Sequence, residues 1–156
     1  MTTNVTATPG SHELSYERVF QAPAELVYRA HTEVDLVRRW WGGNSELTVD
    51  KLEARPGGVW RYVSREQDGS EYGFHGVFHD LVPGERIVWT FEFEGMPGHV
   101  LLETLVLTDQ GDGTTRLRGS SVFQTVEDRD GMLASGMESG MNDSLAALDK
   151  LLASLQ

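Results

Sequence analysis

Three features of the chain predict an α+β fold in which a long terminal helix lies across a curved antiparallel sheet. From residue 47 to residue 124, apolar and polar side chains alternate with a period of two, cut by short turns rich in Gly and Pro. One side of that alternation is aromatic and has to be covered. After residue 125 the spacing becomes helical: Leu133, Met137, Met141, Leu145, Leu148, Leu152 and Leu155 recur every three or four residues. This is the only long amphipathic element available to cover the aromatic face.

Taken in order, residues 1–11 are polar and Thr-rich and are expected to form a disordered lead-in to a single domain, 12–156. Residues 13–21 read as the first strand, with Leu14, Tyr16 and Phe20 alternating against Glu13, Ser15 and Glu17. Arg18 falls on the apolar parity. It either snorkels to the sheet edge or enters the interior, where it needs a partner. Pro23 opens a short helix with Glu25 in its first turn and Leu26, Val27 and Ala30 facing inward. A second short helix over 35–41 is expected to stop at Gly42-Gly43. It carries Trp40 and Trp41, which as helical neighbours point about 100° apart. One ring is therefore expected in the core and the other near a rim, a placement that core packing alone would also explain.

Six further strands are predicted at 47–54, 59–66, 72–81, 86–94, 100–108 and 115–124, making seven in all. Asp68-Gly69 is a strong hairpin signal, and Pro83-Gly84 and Asp112-Gly113 mark other turns. Trp60, Tyr62, Phe74, Phe78, Trp89, Phe91 and Phe93 share the aromatic face, whereas Arg61, His75, His79 and Glu92 fall on the other. Glu103 has the parity of Leu101, Leu105 and Leu107. Its carboxylate is expected inside, as the partner of Arg18, unless both lie solvated near an open mouth.

Thr125 with Asp128 reads as the cap that starts the terminal helix. Its last part is leucine-rich and should anchor. Its first part interleaves Gly131, Gly136 and Gly140 with Met132, Met137 and Met141. Each interior Gly costs a helix about 1 kcal/mol relative to Ala, so the glycines suggest close approach or room for a ligand, and Met makes an adaptable wall. A plain core helix with a frayed start is the alternative. As one helix it would extend up to about 45 Å.

Composition excludes several function classes. The 156 residues hold 24 acidic and 13 basic side chains, a formal charge of −11, which opposes binding to nucleic acid or anionic membranes. With no cysteine there is neither a disulfide frame nor a thiolate nucleophile. No apolar run is long enough for membrane insertion, and the N-terminal stretch lacks a signal-peptide layout, so a cytoplasmic protein is expected. There is no nucleophile elbow, phosphate loop or dinucleotide fingerprint. His75 and His79 would sit about 13 Å apart on a strand, too far to share a metal. No cofactor and no metal is expected. Any catalysis would have to use interior polar groups: Arg18, Glu103, Tyr62, Tyr72 or Ser121.

Several strings carry a family resemblance. They are residues 18–23 (Arg-Val-Phe-Gln-Ala-Pro), 39–42 (Arg-Trp-Trp-Gly), 57–62 (Gly-Gly-Val-Trp-Arg-Tyr), 83–88 (Pro-Gly-Glu-Arg-Ile-Val) and 135–140 (Ser-Gly-Met-Glu-Ser-Gly). Over about residues 12–155 the chain resembles the START-like, or SRPBCC, superfamily. Within it, the chain resembles bacterial homologues of the activator of the heat-shock-protein-90 ATPase. The resemblance implies a helix-grip fold: a curved seven-stranded antiparallel sheet, two short helices after strand one, and a long C-terminal helix packed on the concave face. It also implies a cavity for a lipid-like, apolar or aromatic small molecule. Many relatives are expected to carry an aromatic residue where this chain has Met141, and methionine there implies a roomier cavity.

The expected ligand-binding residues are Arg18, Trp40, Trp41, Trp60, Tyr62, Phe74, Phe78, Trp89, Phe91, Glu103, Met132, Met137 and Met141, around a pocket of about 300–1,000 Å³. Two other readings stand beside ligand binding. One is a co-chaperone-like module with a chaperone partner. The other is a cyclase- or hydrolase-type enzyme. A homodimer is also compatible with a domain of this size.

Overall fold

Period-two alternation produces one antiparallel sheet in the computed structural model, which describes residues 3–156. Its strands are β1 (Asn4–Thr6), β2 (Glu13–Phe20), β3 (Glu46–Leu52), β4 (Val59–Arg65), β5 (Glu71–Val82), β6 (Arg86–Phe93), β7 (Val100–Asp109) and β8 (Thr115–Phe123). Their order across the sheet is β1-β2-β8-β7-β6-β5-β4-β3. Strands β3 to β8 form the expected meander, and the first long strand, β2, joins at its far side by pairing with β8. The chain must therefore pass from the β2 side to the opposite edge. It does so through helices α1 (Ala24–Thr32) and α2 (Val34–Val37).

Two irregularities bend the sheet. Register shifts lie between Val49 and Lys51 in β3 and between Phe78 and Asp80 in β5. An extra residue increases local twist and re-aims the side chains that follow it. In β5 the shift keeps Phe78 opposite Trp89 on the inner face, and then brings Leu81 inward opposite Ile87. On the outer face Arg61 grips Glu94 with two hydrogen bonds of 2.8 and 2.9 Å, and His75 meets the same carboxylate at 2.8 Å. The Arg61 hydrogen bonds, aided by His75, draw the Glu94 pKa down to about 2.

The sheet has eight strands rather than the expected seven. Residues 4–6 lie in the stretch expected to be disordered, yet they form β1, with Val5 opposite Tyr16. Val5 and Ala7 pack on a small cluster of Leu14, Leu101 and Phe123. Arg129, 3% exposed, donates to the carbonyls of Thr8 and Glu13 at 2.9 and 3.1 Å. These long-range contacts hold a segment whose composition alone would not order it. Met1 and Thr2, which also belong to that stretch, lie outside the described residues.

The terminal helix is also two helices rather than one. Helix α3 (Val126–Ala134) starts as expected, Thr125 accepting from the Asp128 N–H at 3.0 Å. It ends at Ser135, and Gly136 (φ 83°) turns the chain into α4 (Met137–Ser154). That backbone is left-handed, which glycine adopts at little cost. The 18 residues of α4 span about 27 Å. Leu145, Leu148, Leu151 and Leu152 are buried, each fully buried side chain contributing about 1.5–3 kcal/mol. They belong to the main core together with Phe20, Leu117, Leu107 and Val27. Leu155, expected on that stripe, is exposed. Gly131 and Gly140 face open space, with nothing within 4 Å of a would-be Cβ. Close approach to a neighbour therefore does not account for them.

Candidate functional site

Where α4 passes the aromatic part of the sheet, the core is incomplete. A chamber of about 200 Å³ lies between Met137 and Met141 of α4, the inner face of the sheet and the α1–α2 connection. It is smaller than the expected 300–1,000 Å³.

The α1–α2 side supplies His31, Val37, Trp40 and Trp41. Trp40 is 5% exposed, and its indole N–H donates to the Ala30 carbonyl at 2.8 Å. His31 packs edge-on against Trp40, with ring centroids 4.9 Å apart. Its Nδ1 lies 2.8 Å from the Val27 carbonyl. A carbonyl only accepts, so Nδ1 carries the proton and Nε2 is left as an acceptor. Burial pushes the imidazole pKa down to about 4, so the ring is neutral near pH 7. Trp41 is half-buried. It meets Tyr62 and Phe74 edge-on at 5.2 and 5.1 Å, the geometry that aromatic pairs favour. The Gly42 N–H donates to Ser144 Oγ of α4, fastening the tryptophan turn to the helix.

The sheet supplies Trp60, Tyr62, Phe78, Ile87, Trp89 and Phe91. Two glycines determine how large rings lie here. Gly76 stands opposite Trp60 across β4 and β5; a Cβ there would overlap the Thr90 carbonyl and crowd the indole nitrogen. Without one, the indole crosses the strand and its N–H donates to Thr90 O at 3.1 Å. Gly119 stands opposite Tyr16 across β2 and β8, and a Cβ there would overlap the phenol ring. Tyr16 therefore lies over β8 and reaches the chamber. Burial drives the Tyr16 phenol far above its ordinary pKa, with nearby Glu103 adding to the effect; burial alone raises that of Tyr62.

The chamber's carboxyl is Glu103, whose Oε1 accepts from Ser121 Oγ at 2.6 Å. The two face each other directly across β7 and β8. Desolvation raises the Glu103 pKa to about 7, against a smaller opposing effect of the Ser121 hydrogen bond. Glu103 and His31 each retain some accessible surface. Both line the chamber.

The expected Arg18–Glu103 pair does not form. Arg18 is 5% exposed, but it pairs with Asp149 of α4 and donates to Thr3 Oγ1 at 2.7 Å. The register explains this: Arg18 sits opposite Leu117 and Glu103 opposite Ser121. Four residues along a strand separate the two sites by about 13 Å. Arg18 therefore lies outside the chamber wall. Phe74 also lies outside it, packing behind Trp41 and Phe91. Met132 joins the Leu14–Leu101–Phe123 cluster instead, because the break at Gly136 separates it from the α4 methionines. The other ten expected residues, Trp40, Trp41, Trp60, Tyr62, Phe78, Trp89, Phe91, Glu103, Met137 and Met141, line the chamber.

Sequence reasoning left Tyr16, His31, Val37 and Ile87 off that wall, and considered Ser121 only as a candidate catalytic group. A usable signal existed for His31, which follows Val27 by four residues on the inner stripe of α1. The orientation of Tyr16 depends on Gly119, which is distant in sequence and has no pattern of its own. Among the described residues, no group of three or more His, Cys, Asp or Glu could hold a metal ion. None of their helices is long and apolar enough to cross a membrane.

A helix closing over an aromatic sheet, with a small chamber between them, defines the START-like class of helix-grip proteins. The model of the family described as "Activator of Hsp90 ATPase homolog 1-like protein" matches residues 21–153, and the chain belongs to that family. Among solved structures, a protein of Rhodobacter sphaeroides is similar at 28% identity and a TM-score of 0.87, covering 98% of this chain and 99% of that one. A protein of Chromobacterium violaceum is similar at 27% identity and a TM-score of 0.80, covering 90% and 96%. A protein of Mycobacterium smegmatis shares the fold at 20% identity and a TM-score of 0.88, covering 98% of both chains. No curated protein sequence matches the chain.

Proposed function

We propose that the chain binds a small, ring-bearing, largely apolar molecule between α4 and the sheet, with the ligand's polar end at Glu103 and Ser121. The observation that carries this is the 200 Å³ chamber walled by tryptophan, tyrosine and phenylalanine rings. An apolar cavity of about 150 Å³ already accepts benzene, so one or two fused rings suit this volume and a sterol does not. Family membership supports a ligand reading, because the fold typically encloses hydrophobic molecules. No reaction is required by this reading.

The test is titration with indole and 2-phenylethanol, read by tryptophan fluorescence and thermal melting. Binding at a hundredfold excess over Kd should raise stability by about 2.7 kcal/mol. Replacing Met141 with Trp should fill the chamber and abolish that gain while the fold persists. Absence of any shift in the unmodified chain, or an unchanged shift in the Met141→Trp variant, overturns the proposal.

A chaperone contact is the second reading, favoured by the family match alone. A change in the ATPase rate of the cognate chaperone on adding this chain would support it, and an unchanged rate would count against it.

A further inference from the structure

We infer that the chamber is selective for organic cations, that is, for a small aromatic or quaternary amine whose nitrogen lies among the indole faces and beside Glu103. This rests on the chamber being a ligand site and adds the charge of the ligand. The first observation is the charge inventory. Among the described lining residues there is one carboxyl group and no Lys or Arg. Arg18, the basic side chain on the inner face of the sheet, is committed to Asp149 and Thr3. No cation pairs with Glu103 among the described residues, and Ser121 occupies only one carboxyl oxygen.

The second observation is the wall. Trp40, Trp41, Trp60, Tyr62, Trp89 and Phe91 line the chamber together with this one acid. Ring faces attract cations, indole most strongly, and the attraction is larger in a desolvated site. The remaining polar groups add little positive charge. His31 is neutral and presents Nε2 as an acceptor, Tyr16 and Tyr62 are neutral phenols, and Ser121 is a hydroxyl. The α4 wall contributes only Met137 and Met141. A chain carrying −11 overall also raises the local concentration of cations rather than anions.

A cation changes the state of the acid it meets. Glu103, with its pKa near 7, loses part of its charge to protonation below that pH. An incoming ammonium favours the carboxylate and displaces the proton. Amine affinity should therefore climb up to about tenfold per pH unit from about pH 5.5 toward 7 and then level off.

A charge series of similar shape tests this on the unmodified chain: phenethylamine, 2-phenylethanol and phenylacetate, with benzyltrimethylammonium added, followed by calorimetry at pH 7.5. The expected order is both cations first, about tenfold tighter than the alcohol, with phenylacetate weakest. Glu103→Gln should erase most of the amine's advantage over the alcohol, since the amide keeps the shape and loses the charge. If the alcohol or phenylacetate binds as tightly as the cations, cation selectivity is refuted while ligand binding stands. If none of the four binds, the ligand reading and this inference fall together.

Discussion

The two halves of α4 share one backbone and one spacing, but meet the sheet in opposite ways. Leu145, Leu148, Leu151 and Leu152 are buried against a filled core. Met137 and Met141 remain half-buried over a chamber. The difference arises across the gap. The leucines share the filled core with residues such as Leu107, Leu117 and Phe20, whereas the methionines line the chamber with large rings, among them Trp60 and Tyr16, which cross Gly76 and Gly119. Flat rings leave a gap that a flexible thioether does not close. A single helix thus anchors at one end and forms an adaptable wall at the other.

The strongest way to break this comparison is to truncate both halves. Leu148 is fully buried, so Leu148→Ala should cost about 2–5 kcal/mol of unfolding free energy in urea melts. Met141→Ala borders space that is already empty and should cost roughly 1 kcal/mol. Equal losses would show that the wall is packed as tightly as the anchor.

Next in size is the pH dependence contributed by the chamber. The folded pKa of Glu103 is raised from 4.5 to about 7. Its contribution to stability is therefore fully present below pH 4.5 and is lost as pH rises through 7, by up to about 3 kcal/mol. Glu103→Gln removes this titration, so the gap between variant and parent should move in the variant's favour over that range. A constant gap would mean that the carboxyl is hydrated. His31 has the opposite sign: its folded pKa is depressed to about 4, so its contribution is present above pH 6.5 and is lost as pH falls through 4. An NMR titration should find its ring neutral at pH 5.

Gly119→Ala should cost about 1–3 kcal/mol by overpacking against Tyr16. It should also alter tryptophan fluorescence quenching by the ligand, because the phenol must leave its place. A variant with normal stability and normal quenching would show that the ring has room elsewhere.

The smallest effects distinguish the glycines at the start of the helical pair. Gly140→Ala lies in helix with open space around it and should stabilise by about 0.5–1 kcal/mol. Gly136→Ala forces alanine into a φ of 83° and should destabilise by about 1–2 kcal/mol. Equal signs in thermal melts would refute the break between α3 and α4.

Much of the fold was legible because period and parity are local. The meander, its turns, the buried face of each strand and the cap at Thr125 all follow from residues within a few positions of one another. Ten of the proposed site residues reached the chamber wall, six by that strand parity and Met137 and Met141 by helical spacing. The failures have a common origin in long-range register. Arg18 and Glu103 share a face, but parity carries no information on distance along it. The order of residues 4–6 depends on β2 and Arg129, far away in the chain. The break at Gly136 was hidden because Leu133, Met137 and Met141 keep helical spacing straight through it.

By itself the sequence determined the class of fold and which side chains face inward, because alternation and helical spacing are properties of neighbouring residues. Only the tertiary structure decided that the interior is incompletely filled and that, among the described residues, no Lys or Arg lines it beside Glu103. Both depend on how rings, glycines and strand registers from distant segments meet, and no local pattern encodes the volume left between them.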